Sequence, residues 1–201
     1  MNIRSKFKKG WNRLWSKPEN WYWFGIPLGG YLAVFFGIAV IAGIDTSMKM
    51  SSSVEFCTSC HEMATFVYPD YRKSLHFSNQ SGVAATCSDC HVPKAWLPKL
   101  GAKIRATFVE VPHHLLGTID SQEKFDIHKY ELAARVWARM RANDSQPCRN
   151  CHSRDAMNLD LQDRSARRKH TKKYAEEKGK TCIDCHSGLV HPEPDEPDHP
   201  G

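Results

Sequence analysis

The pattern of polar and apolar positions divides the chain at one place: from Trp21 to Ile44 there are 24 residues with no acid or base among them. At about 1.5 Å rise per residue, such a run crosses a hydrocarbon layer of roughly 30 Å with some tilt to spare. It predicts one transmembrane helix over 21–44. A cleaved leader would have a shorter apolar stretch, about 7–15 residues, closing on an Ala-x-Ala-like site. The run here is longer, and Ile41-Ala42-Gly43-Ile44 does not fit that site, so the reading is an uncleaved anchor. Asp45 to Ser53 then reads as a polar tether within 45–55, followed by a polar domain over 56–191 and an acidic, Pro-rich, disordered tail over 192–201. Inside the domain, Leu97 to Glu110 and Gln122 to Arg141 carry apolar residues at mixed three- and four-residue spacing, among them Phe125, Tyr130, Leu132, Val136, Trp137 and Met140. That spacing predicts helices. The fold class is mainly α, with little or no sheet.

Charge orients the anchor. The formal net charge is +6, but residues 1–20 hold six Lys or Arg (Arg4, Lys6, Lys8, Lys9, Arg13, Lys17) against one Glu, leaving 22 basic and 21 acidic residues elsewhere. The excess is therefore N-terminal, and no nucleic-acid partner is expected. A basic flank before an apolar run keeps the N-terminus in the cytoplasm and sends the remainder across the membrane. Trp11, Trp15, Trp21, Tyr22 and Trp23 fall where amphipathic rings gather at the cytoplasmic interface.

The eight cysteines all lie in one motif, Cys-x-x-Cys-His, repeated four times: Cys57, Cys60, His61; Cys87, Cys90, His91; Cys148, Cys151, His152; Cys182, Cys185, His186. Zinc ribbons and disulfides also use such cysteine pairs, but neither gives a reason for a His after the second Cys every time. Covalent haem does: two thiols add across the vinyl groups, and the adjacent His reaches the iron. The expectation is four covalently bound haem c groups.

Residues 56–91 and 147–191 read as two copies of one dihaem unit. Each has a first motif, a lone His (His76, His170), a Gly (Gly82, Gly179) and then Thr-Cys-x-Asp-Cys-His. Duplication marks His76 and His170 as equivalent candidates for an iron ligand, and His191 follows His186 after a short turn. His113 and His114 have no such support, and His199 lies in the tail. Met63, two residues after His61, is close enough to compete with it for iron, against the alternative of an ordinary core Met. Lys94, Lys99, Lys103 and Arg105 form a basic run, read either as a solvated helix face or as a patch facing haem propionates or an anionic headgroup.

Glu55-Phe56-Cys57-Thr58-Ser59-Cys60-His61-Glu62-Met63, Cys87-Ser88-Asp89-Cys90-His91-Val92-Pro93, Asn143 to His152 and Thr181 to His186 carry a resemblance that covers nearly the whole chain. In these residues and their order the chain resembles the NapC/NirT family of membrane-anchored tetrahaem cytochromes c. The resemblance implies a single-pass protein of the bacterial inner membrane with its haem domain in the periplasm. Such a protein oxidises quinol from the membrane pool and passes electrons to a soluble periplasmic reductase. In one branch that reductase is nitrate reductase with its dihaem subunit. Other branches serve nitrite reductase, or trimethylamine-N-oxide reductase through a further haem domain, which the absence of a fifth motif argues against. A homodimer is compatible with this plan. Carried over position by position, Met63 matches a ligand of the first haem that leaves the other face open, and His76, His170 and His191 match distal ligands. The pairing carried over is His91 with His191, His152 with His170, and His186 with His76. Lys103 and Glu110 match a Lys and an acidic residue of the quinol pocket. Lys94 stands where many relatives have a second His, and is itself a candidate ligand. Two rival functions remain at this level: an anchored relay with four closed haems and no quinol pocket, and a haem enzyme with a solvent-open iron.

Overall fold

A computed structural model describes residues 3–17 and 24–196, and among these residues it is helical with no strand. Trp21, Tyr22, Trp23 and His199 lie outside the described residues. The chain divides into two compact units, residues 1–50 and 51–201.

The first unit holds α1 (Ile3–Trp15) and α2 (Leu28–Met50). Helix α1 stacks Phe7 on Trp11 at 6.4 Å and sets Trp15 5.8 Å from Trp11, while Lys6, Lys9 and Arg13 fall on the other side of the helix. It meets α2 at Gly29, where a Cβ would stand 2.9 Å from the Trp15 ring and 3.0 Å from the Leu14 carbonyl. Only a glycine allows that approach. Helix α2 is apolar on all sides and exposed on all sides, with Phe35, Phe36 and Ile41 about two-thirds accessible. Its 23 residues span about 34 Å at the usual rise, an 18-residue window of them has a mean hydropathy of 1.9, and the helix is long and apolar enough to cross a membrane.

The helix begins later than the uncharged run and continues beyond it. Phe24 and Gly25 take positive φ (51° and 68°) and Pro27 precedes the first turn, so regular hydrogen bonding starts only at Leu28. At the other end Asp45 and Lys49 form an i,i+4 ion pair at 2.7 Å, and the helix runs through the first part of the expected tether to Met50.

The second unit is a chain of short helices around two longer ones. In order these are α3 (Val54–Cys57), a π-helical stretch Met63–Val67, α4 (Tyr68–Lys73), α5 (Cys87–His91), α6 (Trp96–Leu115), α7 (Gln122–Ala142), α8 (Gln146–Arg149), α9 (Arg164–Lys169) and α10 (Lys172–Lys178). Its protein core is small: among the described residues only Tyr71, Met140, Ala175 and Ile183 are buried hydrophobics. A unit of this size with so few buried apolar side chains cannot offset its conformational entropy from protein packing alone.

Candidate haem sites and the face of the long helix

Each Cys-x-x-Cys-His motif begins in a short helical turn: α3 ends at Cys57, α5 spans Cys87–His91, α8 holds Cys148 and a 3-10 turn spans Cys182–Asp184. The second and fourth are built alike. Thr86 and Thr181 are N-caps whose backbone N–H donates to Asp89 and Asp184 three residues on, each at 2.8 Å, closing a capping box around the cysteine pair. Each aspartate also takes a cation: Lys94 pairs with Asp89, and Arg141 Nε donates to Asp184 at 2.7 Å. Lys94 holds the Asp89 carboxyl at about 2, below the usual range, and Arg141 likewise lowers that of Asp184. Lys94, a candidate ligand from sequence, thus has its ammonium on Asp89.

The motif histidines do not stand alone. His91 and His191 have ring centroids 6.4 Å apart, His152 and His76 6.3 Å, and His186 and His170 6.0 Å. Two imidazoles on opposite sides of one metal, with bonds of about 2 Å each, put their ring centres about 6 Å apart. The first of these pairs is the one carried over by resemblance; the other two are exchanged relative to it. His76 and His170, equivalent by duplication, face different kinds of partner: His76 crosses to a motif of the other copy, while His170 stays within its own. His170 Nδ1 lies 2.6 Å from Gln162 Oε1, which leaves Nε2 for a ligand. Desolvation by the atoms packed round its ring, with the charges of His191 and Arg139 adding to it, lowers the His91 imidazole below its usual value. No disulfide joins any two of the eight cysteines. His76 Nδ1 is buried with no hydrogen-bond partner. Unpaired thiols, facing imidazoles and a sparse core together fit haem.

The first motif lies against α6. Seven residues of helix place Lys103 and Glu110 about 20° apart round the α6 axis. Lys103 Nζ donates to the carbonyl and hydroxyl oxygens of Ser51 at 2.7 and 2.8 Å, and burial lowers its ammonium below the usual value. Glu110 is mostly exposed, with Arg105 Nη1 4.0 Å away. One turn beyond Glu110 on the same stripe is His114, set aside at the sequence level. Its ring centroid is 5.7 Å from that of His61, and its Nδ1 lies 2.7 Å from Glu62 Oε1. Burial alone would raise the Glu62 carboxyl, but bonds to its own backbone and to His114 hold it low. The signal that would have found His114 is helical spacing, eleven residues from Lys103 and four from Glu110. Met63 opens the π-helical stretch and is about one-third exposed. His113 Nδ1 is 3.1 Å from Thr118 Oγ1, and His128 lies beside Glu131, both away from the motifs.

A profile described as the NapC/NirT cytochrome c family, N-terminal region, matches residues 22–196. The chain belongs to the NapC/NirT cytochrome c family. As a cytochrome c of this family it carries covalently bound haem c. A protein of Allochromatium vinosum, named for a tetraheme cytochrome-c type, is 49% identical over 162 residues, 81% of this chain and 86% of that one. The denitrification system component NirT of Stutzerimonas stutzeri is 46% identical over 166 residues, covering 82% and 81%. The cytochrome c-type protein NapC of Paracoccus pantotrophus is 42% identical over 200 residues, covering 96% and 82%. No solved structure matches the chain.

Proposed function

We propose that this family member is an inner-membrane tetrahaem quinol dehydrogenase that passes electrons to a periplasmic reductase. The observation that carries the reading is one stripe of α6 that holds Lys103 and Glu110 together with His114, whose Nδ1 lies 2.7 Å from Glu62 next to the first Cys-x-x-Cys-His motif. Haem c is attached at Cys57 and Cys60, Cys87 and Cys90, Cys148 and Cys151, and Cys182 and Cys185. His91 with His191, His152 with His76, and His186 with His170 would hold three of the irons. Bound there, the haems supply one-electron acceptors in series.

The protein's own part is positioning and proton transfer. A quinol becomes a quinone by losing two protons and two electrons, its two C–O single bonds becoming C=O. Lys103, its head held by Ser51, donates a hydrogen bond to one quinol oxygen. The exposed Glu110 carboxylate accepts the two protons one after the other and returns each to solvent, while the two electrons would pass singly to the haems. α2 anchors the N-terminal part of the chain, on the cytoplasmic side at its start, so the domain remains near the bilayer that holds the quinol.

The reductase best supported is nitrate reductase with its dihaem subunit, given the long match to a protein named NapC. A second reading has support too, since the relative named NirT is called a denitrification system component. Two measurements test the proposal. With a menaquinol analogue, Glu110→Gln and Lys103→Leu lose haem reduction by at least tenfold while dithionite still reduces all four haems. Undiminished quinol-driven reduction in both variants would replace the dehydrogenase with a plain relay. Purified nitrate reductase should reoxidise the quinol-reduced protein; failure there, with success for a nitrite reductase, selects the other partner.

A further inference from the structure

Residues 164–173, Arg-Ser-Ala-Arg-Arg-Lys-His-Thr-Lys-Lys, hold six bases and no acid, and His170, the imidazole facing the fourth motif, stands among them. Outside this run and residues 1–20 the chain has 16 Lys or Arg against 21 Asp or Glu. The run is thus a local positive field on a polypeptide that is otherwise acidic beyond its N-terminus.

Local structure uses little of that charge. Arg167 is the structural member: its Nε and Nη2 donate to the carbonyls of Leu159 and Asp160 at 3.0 and 3.1 Å. Lys173 lies 3.8 Å from Glu177, a pair of exposed side chains that contributes little. Among the described residues no ion pair holds Arg164, Arg168, Lys169 or Lys172, and all four are exposed. The nearest acid, Asp163, is spent on capping α9, where its carboxylate accepts from the Ser165 and Ala166 backbone N–H groups at 2.8 and 2.9 Å. Helix stability does not explain the lysines either. Lys172 and Lys173 open α10 while Glu176 and Glu177 stand toward its end, the reverse of what a helix dipole favours. Nor does the fourth centre call for the arginines. Ala166 and His170, four residues apart and half-buried, mark the inward side of α9, and Arg164 and Arg168, also four apart, fall on the opposite side.

We propose that Arg164, Arg168, Lys169, Lys172 and Lys173 form the surface on which a soluble electron-accepting protein docks through an acidic face. The proposal rests on reading the chain as a donor to a periplasmic reductase, and it adds where that partner sits, beside the fourth centre. Exposed bases free of ion pairs steer an acidic partner during encounter and fix its orientation, which raises the association rate more than it prolongs the complex. An anionic headgroup layer would also meet five bases, but only a redox partner gains from their place around a haem-facing histidine.

The test uses the full-length, haem-loaded protein in nanodiscs of zwitterionic phosphatidylcholine, with intact mass and quinol-driven haem reduction measured for every sample. Binding of purified periplasmic nitrate reductase with its dihaem subunit, and separately of a nitrite reductase, is followed by surface plasmon resonance. For at least one of the two, wild-type affinity should fall about tenfold between about 0.05 and about 0.3 M salt. The triple variant Arg164→Glu, Arg168→Glu, Lys173→Glu should lose about tenfold in affinity at low salt, mostly in the association rate, while keeping four haems and quinol-driven reduction. Lys124→Glu with Arg135→Glu, exposed bases of α7, should bind like the wild type. Wild-type affinity in the triple variant, binding indifferent to salt, an equal loss in the α7 variant, or no binding of either reductase overturns the proposal. Normal reductase binding by a triple variant that no longer holds phosphatidylglycerol vesicles would make the surface a lipid contact and overturns it as well. Failure of quinol-driven reduction in the wild type counts against the quinol dehydrogenase, whereas unchanged binding in the triple variant with that reduction intact counts only against the docking surface.

Discussion

Ser145 is the one side chain among the described residues that is fully buried, and it is polar. It takes a left-handed backbone (φ 49°) three residues before Cys148, and its hydroxyl accepts hydrogen bonds from Thr181 Oγ1 at 2.7 Å and Ile183 N at 3.1 Å. It therefore ties the turn that starts the third motif to the turn that forms the fourth. Ser145→Ala leaves the Ile183 N–H without a partner in the interior, which costs about 1–3 kcal/mol. Guanidinium unfolding of the haem-loaded variant, followed by far-ultraviolet circular dichroism, should show a midpoint lowered by that amount; an unchanged midpoint would mean that the clamp carries no stability. In sequence Ser145 was only one polar residue in Asn-Asp-Ser-Gln. Nothing local distinguishes it, because its partners come from 36 and 38 residues away. The cysteines were different: their chemistry is written in the spacing itself.

At the scale of elements, the two longest helices of the second unit were legible, since periodic apolar positions report which face is covered. Trp96–Leu115 and Gln122–Ala142 lie within a few residues of the expected 97–110 and 122–141. The ends of α2 were not. Hydropathy locates an apolar stretch but is blind to the turn at Phe24 and Gly25, and to an ion pair that lets Asp45 and Lys49 continue the helix. The helix that forms is still uniformly apolar through most of its length, and the expected behaviour is that of an integral anchor. Alkaline carbonate should leave the protein in the membrane fraction, and N-terminal sequencing of the mature protein should recover residues upstream of α2. Release by carbonate, or a mature start near Asp45, would remove the anchor.

At the scale of the molecule, the four buried hydrophobic side chains among the described residues are too few to hold residues 51–196 together, so attached cofactor and fold depend on each other. Intact mass should exceed the polypeptide by four haem units. Cys182→Ser should lose one of them and with it a large part of the far-ultraviolet signal after mild heating; retention of wild-type thermal stability would show that the protein core suffices. The two copies could be seen in the sequence, but their mutual dependence could not, because pairing across copies is set by tertiary contact and not by spacing. His76 of the first copy meets His152 of the second, and His91 waits for His191, a hundred residues further along. A polypeptide delivered outward from its N-terminus presents His91 long before its counterpart exists on the same side. On the proposed topology and ligand pairing, the second centre would be completed only after nearly the whole haem domain had been exported, and a chain stalled in translocation would be left with an iron that exogenous ligands can reach.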